Sequence, residues 1–75
     1  MSEPLLDARG LSCPLPVLRA RKAMQNLQAG EVIRVLATDP GTVKDFRAFA
    51  EATGHELLES RQAGDEFHYR IRKVS

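Results

Sequence analysis

The chain of 75 residues contains one cysteine, so no internal disulfide can form and the stapled architectures of small secreted proteins are excluded. Charge of one sign is also scarce: a net charge of +1 gives no strong global pull towards nucleic acid or a membrane surface. The first residues, Met1-Ser2-Glu3-Pro4, show no basic stretch followed by a long apolar run. Neither a signal peptide nor a membrane span is expected, and the cytoplasm is the expected location. No glycine-rich phosphate loop, paired-carboxylate signature, internal repeat, linker or low-complexity tract is visible. One cysteine and two isolated histidines, His55 and His68, lack zinc-ligand spacing, so neither a metal nor a cofactor is expected.

What is present suits one small domain over residues 1–75, with 43% hydrophobic residues beside 28% charged ones. Glycines and prolines punctuate it. A short strand is predicted over Pro4 to Ala8. A helix follows to about Gln28, with Pro14 at its first position and Val17, Ala20, Met24 and Leu27 as its apolar stripe. Gly30 is a stop signal. Val32 to Thr38 is β-branched and apolar, with Arg34 its only interior charge, and reads as a central strand.

Asp39-Pro40-Gly41-Thr42 opens a second helix. Either Asp39 caps it, or Thr42 caps it with Asp45 three residues on. Val43, Phe46, Ala50 and Thr53 form its predicted inward ridge, and Gly54 ends it. His55 to Arg61 is a weaker strand, Ala63-Gly64-Asp65 a tight connection. The last strand alternates: Phe67, Tyr69 and Ile71 one way, His68, Arg70 and Arg72 the other.

The order β-α-β-α-β-β predicts a two-layer α/β sandwich, a four-stranded sheet with both helices on one face. Parallel pairing of the first two strands would bring the Cys13 loop and the Asp39-Pro40-Gly41 loop to one sheet edge, where open α/β sheets usually bind ligands.

Cys13 lies in Leu11-Ser12-Cys13-Pro14-Leu15-Pro16, at the predicted start of a helix. Backbone N–H groups and the helix dipole there favour the thiolate, the nucleophilic form. The two prolines stiffen the turn and remove two donors. The plain alternative is a small buried cysteine that packs the loop. Arg19, Arg21 and Lys22 make a basic helix surface suited to docking an acidic partner, or merely a solvated face. Arg34, His68, Arg70, Arg72 and Lys73 form a basic stripe that could meet RNA phosphate. With Tyr69 turned inward the stripe lacks a stacking platform, so direct nucleic-acid binding is not expected.

The run Asp7-x-x-Gly10-Leu11-x-Cys13-Pro14-x-Pro16 resembles the N-terminal signature of the TusA/SirA-like sulfur-carrier family. Ala37-Thr38-Asp39-Pro40-Gly41-Thr42, Gly54-His55-Glu56-Leu57 and Ile71-Arg72-Lys73 resemble its later segments in order. The resemblance implies sheet order 1-2-4-3, with only the last strand antiparallel to the others. It also implies a chemistry. Cys13 would accept sulfane sulfur as a persulfide from a cysteine desulfurase or rhodanese-type donor and hand it to an acceptor protein. The family serves tRNA thiolation, molybdenum cofactor supply, sulfur oxidation and selenium handling. Asp7, Gly10, Pro14 and Pro16 would support the motif, and Arg21 and Asp39 match positions near the docking surface. On this reading the protein is a sulfurtransferase-type carrier rather than a stand-alone catalyst. The competing reading is a non-catalytic protein- or RNA-binding module that uses the basic sheet face.

Overall fold

Alternation along the last strand decides which side of the sheet is covered. Phe67, Tyr69 and Ile71 are buried, while Arg72 is exposed and His68 and Arg70 are half-buried on the opposite face. The computed structural model describes residues 3–74. Its elements are β1 (Leu5–Ala8), α1 (Leu15–Met24), β2 (Val32–Ala37), α2 (Thr42–Thr53), β3 (Glu56–Ala63) and β4 (Glu66–Arg72). The sheet order is β1-β2-β4-β3; β1 and β2 run parallel, and β4 is antiparallel to both β2 and β3. This is the expected two-layer sandwich. Helix α1 packs on β1 and β2, α2 on β3 and β4, and the helices touch each other. Ala20 and Met24 of α1 and Phe46 of α2 close over Ala8, Ile33, Val35, Ala37, Phe67, Tyr69 and Ile71 as one core.

The element ends differ from the sequence reading in instructive ways. Pro14 precedes α1 rather than opening it, because the Leu15 N–H already closes a turn onto the Ser12 carbonyl at 2.9 Å. Pro16, at the second helical position, is buried. Helix α1 stops at Met24, four residues before the predicted end at Gln28. The amides of Gln25, Asn26 and Leu27 bond to carbonyls three residues back, which tightens the chain out of the α-helical ladder. Leu27 still packs against the core from that turn.

The inward ridge of α2 is shifted. Thr42 and Phe46 are buried, Phe49 and Ala50 half-buried, whereas Val43 and Thr53 are exposed. The cause is the Thr42 hydroxyl, which is drawn inward by polar partners and fixes the rotation of the first turn. Gly54 closes the helix in the left-handed region (φ 81°), its N–H donating to the Ala50 carbonyl. Strand β3 is longer than predicted and carries an irregularity: Leu57 pairs with Ile71 and Glu59 with Arg70, leaving Leu58 unpaired and exposed.

The outer sheet face is not a free basic stripe. Arg70 meets Glu3 through two hydrogen bonds (2.7 and 3.1 Å), Arg72 meets Glu56, and His68 lies 3.3 Å from Glu66. Arg61 pairs with Glu59 at 2.5 Å. Such exposed pairs add little stability, but they intersperse both signs of charge over the face. Lys73 faces elsewhere, donating from Nζ to the Leu27 carbonyl at 2.7 Å.

Candidate functional site

Because β1 and β2 are parallel, with Ala8 opposite Ala37 at their last register position, the loops that follow them leave the same sheet edge. Three contacts join those loops. The Gly10 N–H donates to Oγ1 of Thr38 (2.9 Å), and the Cys13 N–H donates to Oδ2 of Asp39 (2.5 Å). The third is the near approach of Gly41: a Cβ there would stand 3.4 Å from Cβ of Cys13 and 3.7 Å from its Sγ. Gly10 takes the left-handed conformation (φ 82°), which turns the chain from β1 towards the cysteine.

Asp39 does not cap α2. Its carboxylate accepts N–H groups from Cys13 and from Gly41 (3.0 Å), and these two donors hold it below the usual aspartate range. Nor does Thr42 form a capping box with Asp45. The Thr42 hydroxyl donates to the Asp39 carbonyl (2.7 Å) and accepts from the Tyr69 hydroxyl (2.7 Å). Tyr69 stacks at a tilt on Phe46, ring centroids 4.5 Å apart. A chain of polar contacts thus runs from the core strand β4 to the loop that holds Cys13.

Cys13 is exposed at this edge. Its Sγ donates a close hydrogen bond to Oδ2 of Asp45, in the first turn of α2. That bond, partial desolvation and the charges of Asp45 and Asp39 push the thiol above its ordinary range. The expectation that a helix start favours the thiolate is therefore overturned. Pro14 and Pro16 lack N–H groups, the Leu15 N–H is spent on Ser12, and two carboxylates crowd the sulfur. These surroundings favour the protonated thiol over the thiolate.

The other residues singled out in the sequence fall into two groups. Asp7 and Gly10 shape the end of β1 rather than touching the sulfur. Asp7 binds the Arg9 guanidinium through both oxygens (2.9 Å each), which pulls it down to about 2. Pro14 lines an open groove between the helices, together with Val17, Leu18, Arg21, Asp45 and Phe49. Arg19, Arg21 and Lys22 do not form one patch: Arg21 lines that groove, whereas Arg19 and Lys22 flank a separate depression beside Leu6 and Asn26. Leu15 and Leu18 of α1 and Val43 of α2, all near the cysteine end, leave apolar surface exposed.

His55 accepts the Val74 N–H, and His68 lies between Glu66 and Arg61, so neither serves Cys13 as a base. Among the described residues no three His, Cys, Asp or Glu side chains group as a metal site, and no helix is long and apolar enough to cross a membrane. Asp45 is the residue beside the sulfur that the sequence reading misplaced. Its spacing from Thr42 suits a capping box, and only the loop pairing reveals that its carboxylate is turned to the sulfur.

Known proteins are similar in sequence and architecture. The family model described as sulfurtransferase TusA matches residues 5–73. The sulfur carrier protein TusA of Allochromatium vinosum is 57% identical over 68 residues, covering 91% of this chain and 90% of that protein. The sulfur carrier protein TusA of Pseudomonas putida is 44% identical over 71 residues, covering 95% and 89%. Among solved structures, a SirA-like protein from Desulfitobacterium hafniense superposes with a TM-score of 0.81 at 30% identity, covering 95% of this chain and 97% of that one.

Proposed function

The chain belongs to the TusA sulfurtransferase family, and on that premise we propose that it is a sulfur carrier that holds sulfane sulfur as a persulfide on Cys13. The observation that carries this reading is the placement of its single thiol: exposed, at the sheet edge where two loops meet, and beside an open groove.

The chemistry is thiol exchange. The Cys13 thiolate attacks the outer sulfur of a donor persulfide, a new S–S bond forms at Sγ, and the donor's own S–S bond breaks. The donor leaves as a thiolate and takes up a proton, so the exchange needs no external oxidant or reductant. An acceptor thiolate then attacks the outer sulfur in the same way and returns Cys13 to the thiol. No resolving cysteine is required on the carrier.

The relay implies a protein that donates sulfur and one that accepts it. We assign the donor to the cysteine desulfurase or rhodanese-type class, and the docking surface to the groove end that includes Pro14, Arg21 and Asp45, with Asp39 holding the loop. Asp7, Gly10 and Pro16 support that surface by fixing the loop and the first turn of α1. The match of the family model over residues 5–73 supports reading the chain as one carrier domain. The test is intact-mass spectrometry after incubation with a cysteine desulfurase and cysteine. One added sulfur that dithiothreitol removes supports the reading; an unchanged mass alongside a donor shown to be active contradicts it.

A further inference from the structure

The reactive thiol of a carrier would be expected to face cations, yet this one faces carboxylates. The groups around Sγ are Asp45 from α2, which accepts its hydrogen bond, and Asp39 from the loop after β2, whose oxygens are occupied by the Cys13 and Gly41 amides. From α1 the charged residue of the shared groove is Arg21, which lines it together with Asp45. Tyr69, from β4, reaches the same corner through Thr42 and feels the Asp45 charge. Asp45 is the acceptor that touches the sulfur, and Asp39 is already committed to the backbone.

From this geometry we propose that Asp45 is a positioning residue that keeps Cys13 as a neutral, restrained thiol in the free carrier, so that stray persulfides and other small sulfur reagents react with it slowly. The inference rests on the carrier reading. Physically, the carboxylate stabilises the thiol by accepting its proton in a hydrogen bond, and would repel the thiolate at the same distance. Nucleophilic attack requires the thiolate. The restraint is therefore relieved only when the Asp45 side chain leaves Sγ or its charge is neutralised. A cationic side chain on a docked sulfur donor supplies that neutralisation, and Asp45 lies in the groove lining where such a group can reach it. The thiol proton then passes to water and the departing donor thiolate regains one, so the exchange stays balanced. Selectivity for the protein donor over free reagents follows from a group that suppresses the nucleophile until a partner engages it.

The test is the pH dependence of Cys13 alkylation by iodoacetamide, a small neutral reagent that needs no docking. Asp45→Asn keeps the shape and removes the charge. Its rate at pH 7 should rise several-fold, with a lower midpoint and the same ceiling at high pH, and it should load more persulfide from inorganic polysulfide. Asp45→Glu, which keeps the charge, should stay close to the parent protein. A merely structural role for Asp45 would leave the midpoint in place, and an unchanged or raised midpoint in Asp45→Asn overturns the proposal. Should that variant fail to fold by circular dichroism, Asp45→Ser, which also removes the charge, is read by the same midpoint. Donor loading is scored separately by mass. A lowered midpoint upholds the role of Asp45 whether or not the donor loads the protein. An unchanged midpoint sinks that role even when loading upholds the carrier reading.

Discussion

The backbone N–H of Cys13 donates to the Asp39 carboxylate, which fastens together two loops whose residues lie 26 positions apart in the chain. The other oxygen of the same carboxylate takes the Gly41 N–H, so one side chain orders both the cysteine turn and the entry to α2. The position of the thiol is thus set by a carboxylate that contributes no atom to the sulfur chemistry.

That latch makes an acid-sensitive contribution. Asp39 titrates lower in the folded chain than in an unfolded one. Its stabilising contribution is therefore present above the ordinary aspartate range and is lost as pH falls through the folded value. Urea unfolding followed from neutral pH downwards should show stability falling below about pH 4, the ordinary aspartate region. Asp39→Asn should show a shallower fall. Asp7 and Glu3, also held low by arginine partners, keep some slope in the variant. Equal slopes in the two proteins would remove Asp39 from this role.

Thr42 and Tyr69 test the link between core and loop. Both are essentially fully buried, and their hydroxyls are paired. Thr42→Val leaves the Tyr69 hydroxyl and the Asp39 carbonyl without that partner, and should cost about 1–3 kcal/mol in chemical denaturation. Adding Tyr69→Phe should recover part of the loss, because the remaining buried donor disappears with it. Strictly additive losses would mean the pair is not coupled.

Core packing gives a larger effect. Phe46 and Ile71 are 0% exposed on opposite layers. Phe46→Ala should cost about 3–5 kcal/mol and Ile71→Ala about 2–5 kcal/mol, a large share of the stability of so small a domain. Either loss below about 1 kcal/mol, measured by urea unfolding, would contradict the packing described.

Periodicity made most of the fold legible, because inward and outward residues of β2 and β4 alternate without interruption and the helices lie between clear stop signals. The family resemblance pointed to Cys13 as the proposed sulfur site and supplied the sheet order. What periodicity missed was decided by polar side chains. Thr42 reads as a cap, yet its hydroxyl is pulled into the core by Tyr69, which displaces Val43 outward. Asp45 reads as the partner in that cap, yet it meets a sulfur that only the parallel pairing of β1 and β2 brings near. The same holds for the thiolate expectation: the dipole of a helix start is visible in sequence, whereas the two carboxylates that push the thiol upward come from another loop and another helix. Arg19, Arg21 and Lys22 are close in sequence, but a helix sends neighbours to different sides, and only Arg21 reaches the groove.

Arg21 is accordingly the basic residue expected to act in docking. Arg21→Glu should slow sulfur transfer from a protein donor, and the defect should change as salt is raised, as expected for an exposed charge at an interface. Thermal stability should hardly move. Alkylation of Cys13 by iodoacetamide should change far less than the protein-to-protein step. If both rates fall equally, Arg21 acts on the thiol and the docking role is lost.

The most direct test of the account is the fate of sulfur in the parent protein and in Cys13→Ser, each incubated with an active cysteine desulfurase and cysteine and then read by intact and tandem mass spectrometry. Cys13 is exposed and outside the core, so the serine variant should fold with the same circular dichroism spectrum. One added sulfur is expected in the parent protein, located on Cys13, and none in the variant. Sulfur on the serine variant, or a folded parent protein that gains none from the active donor, would contradict it.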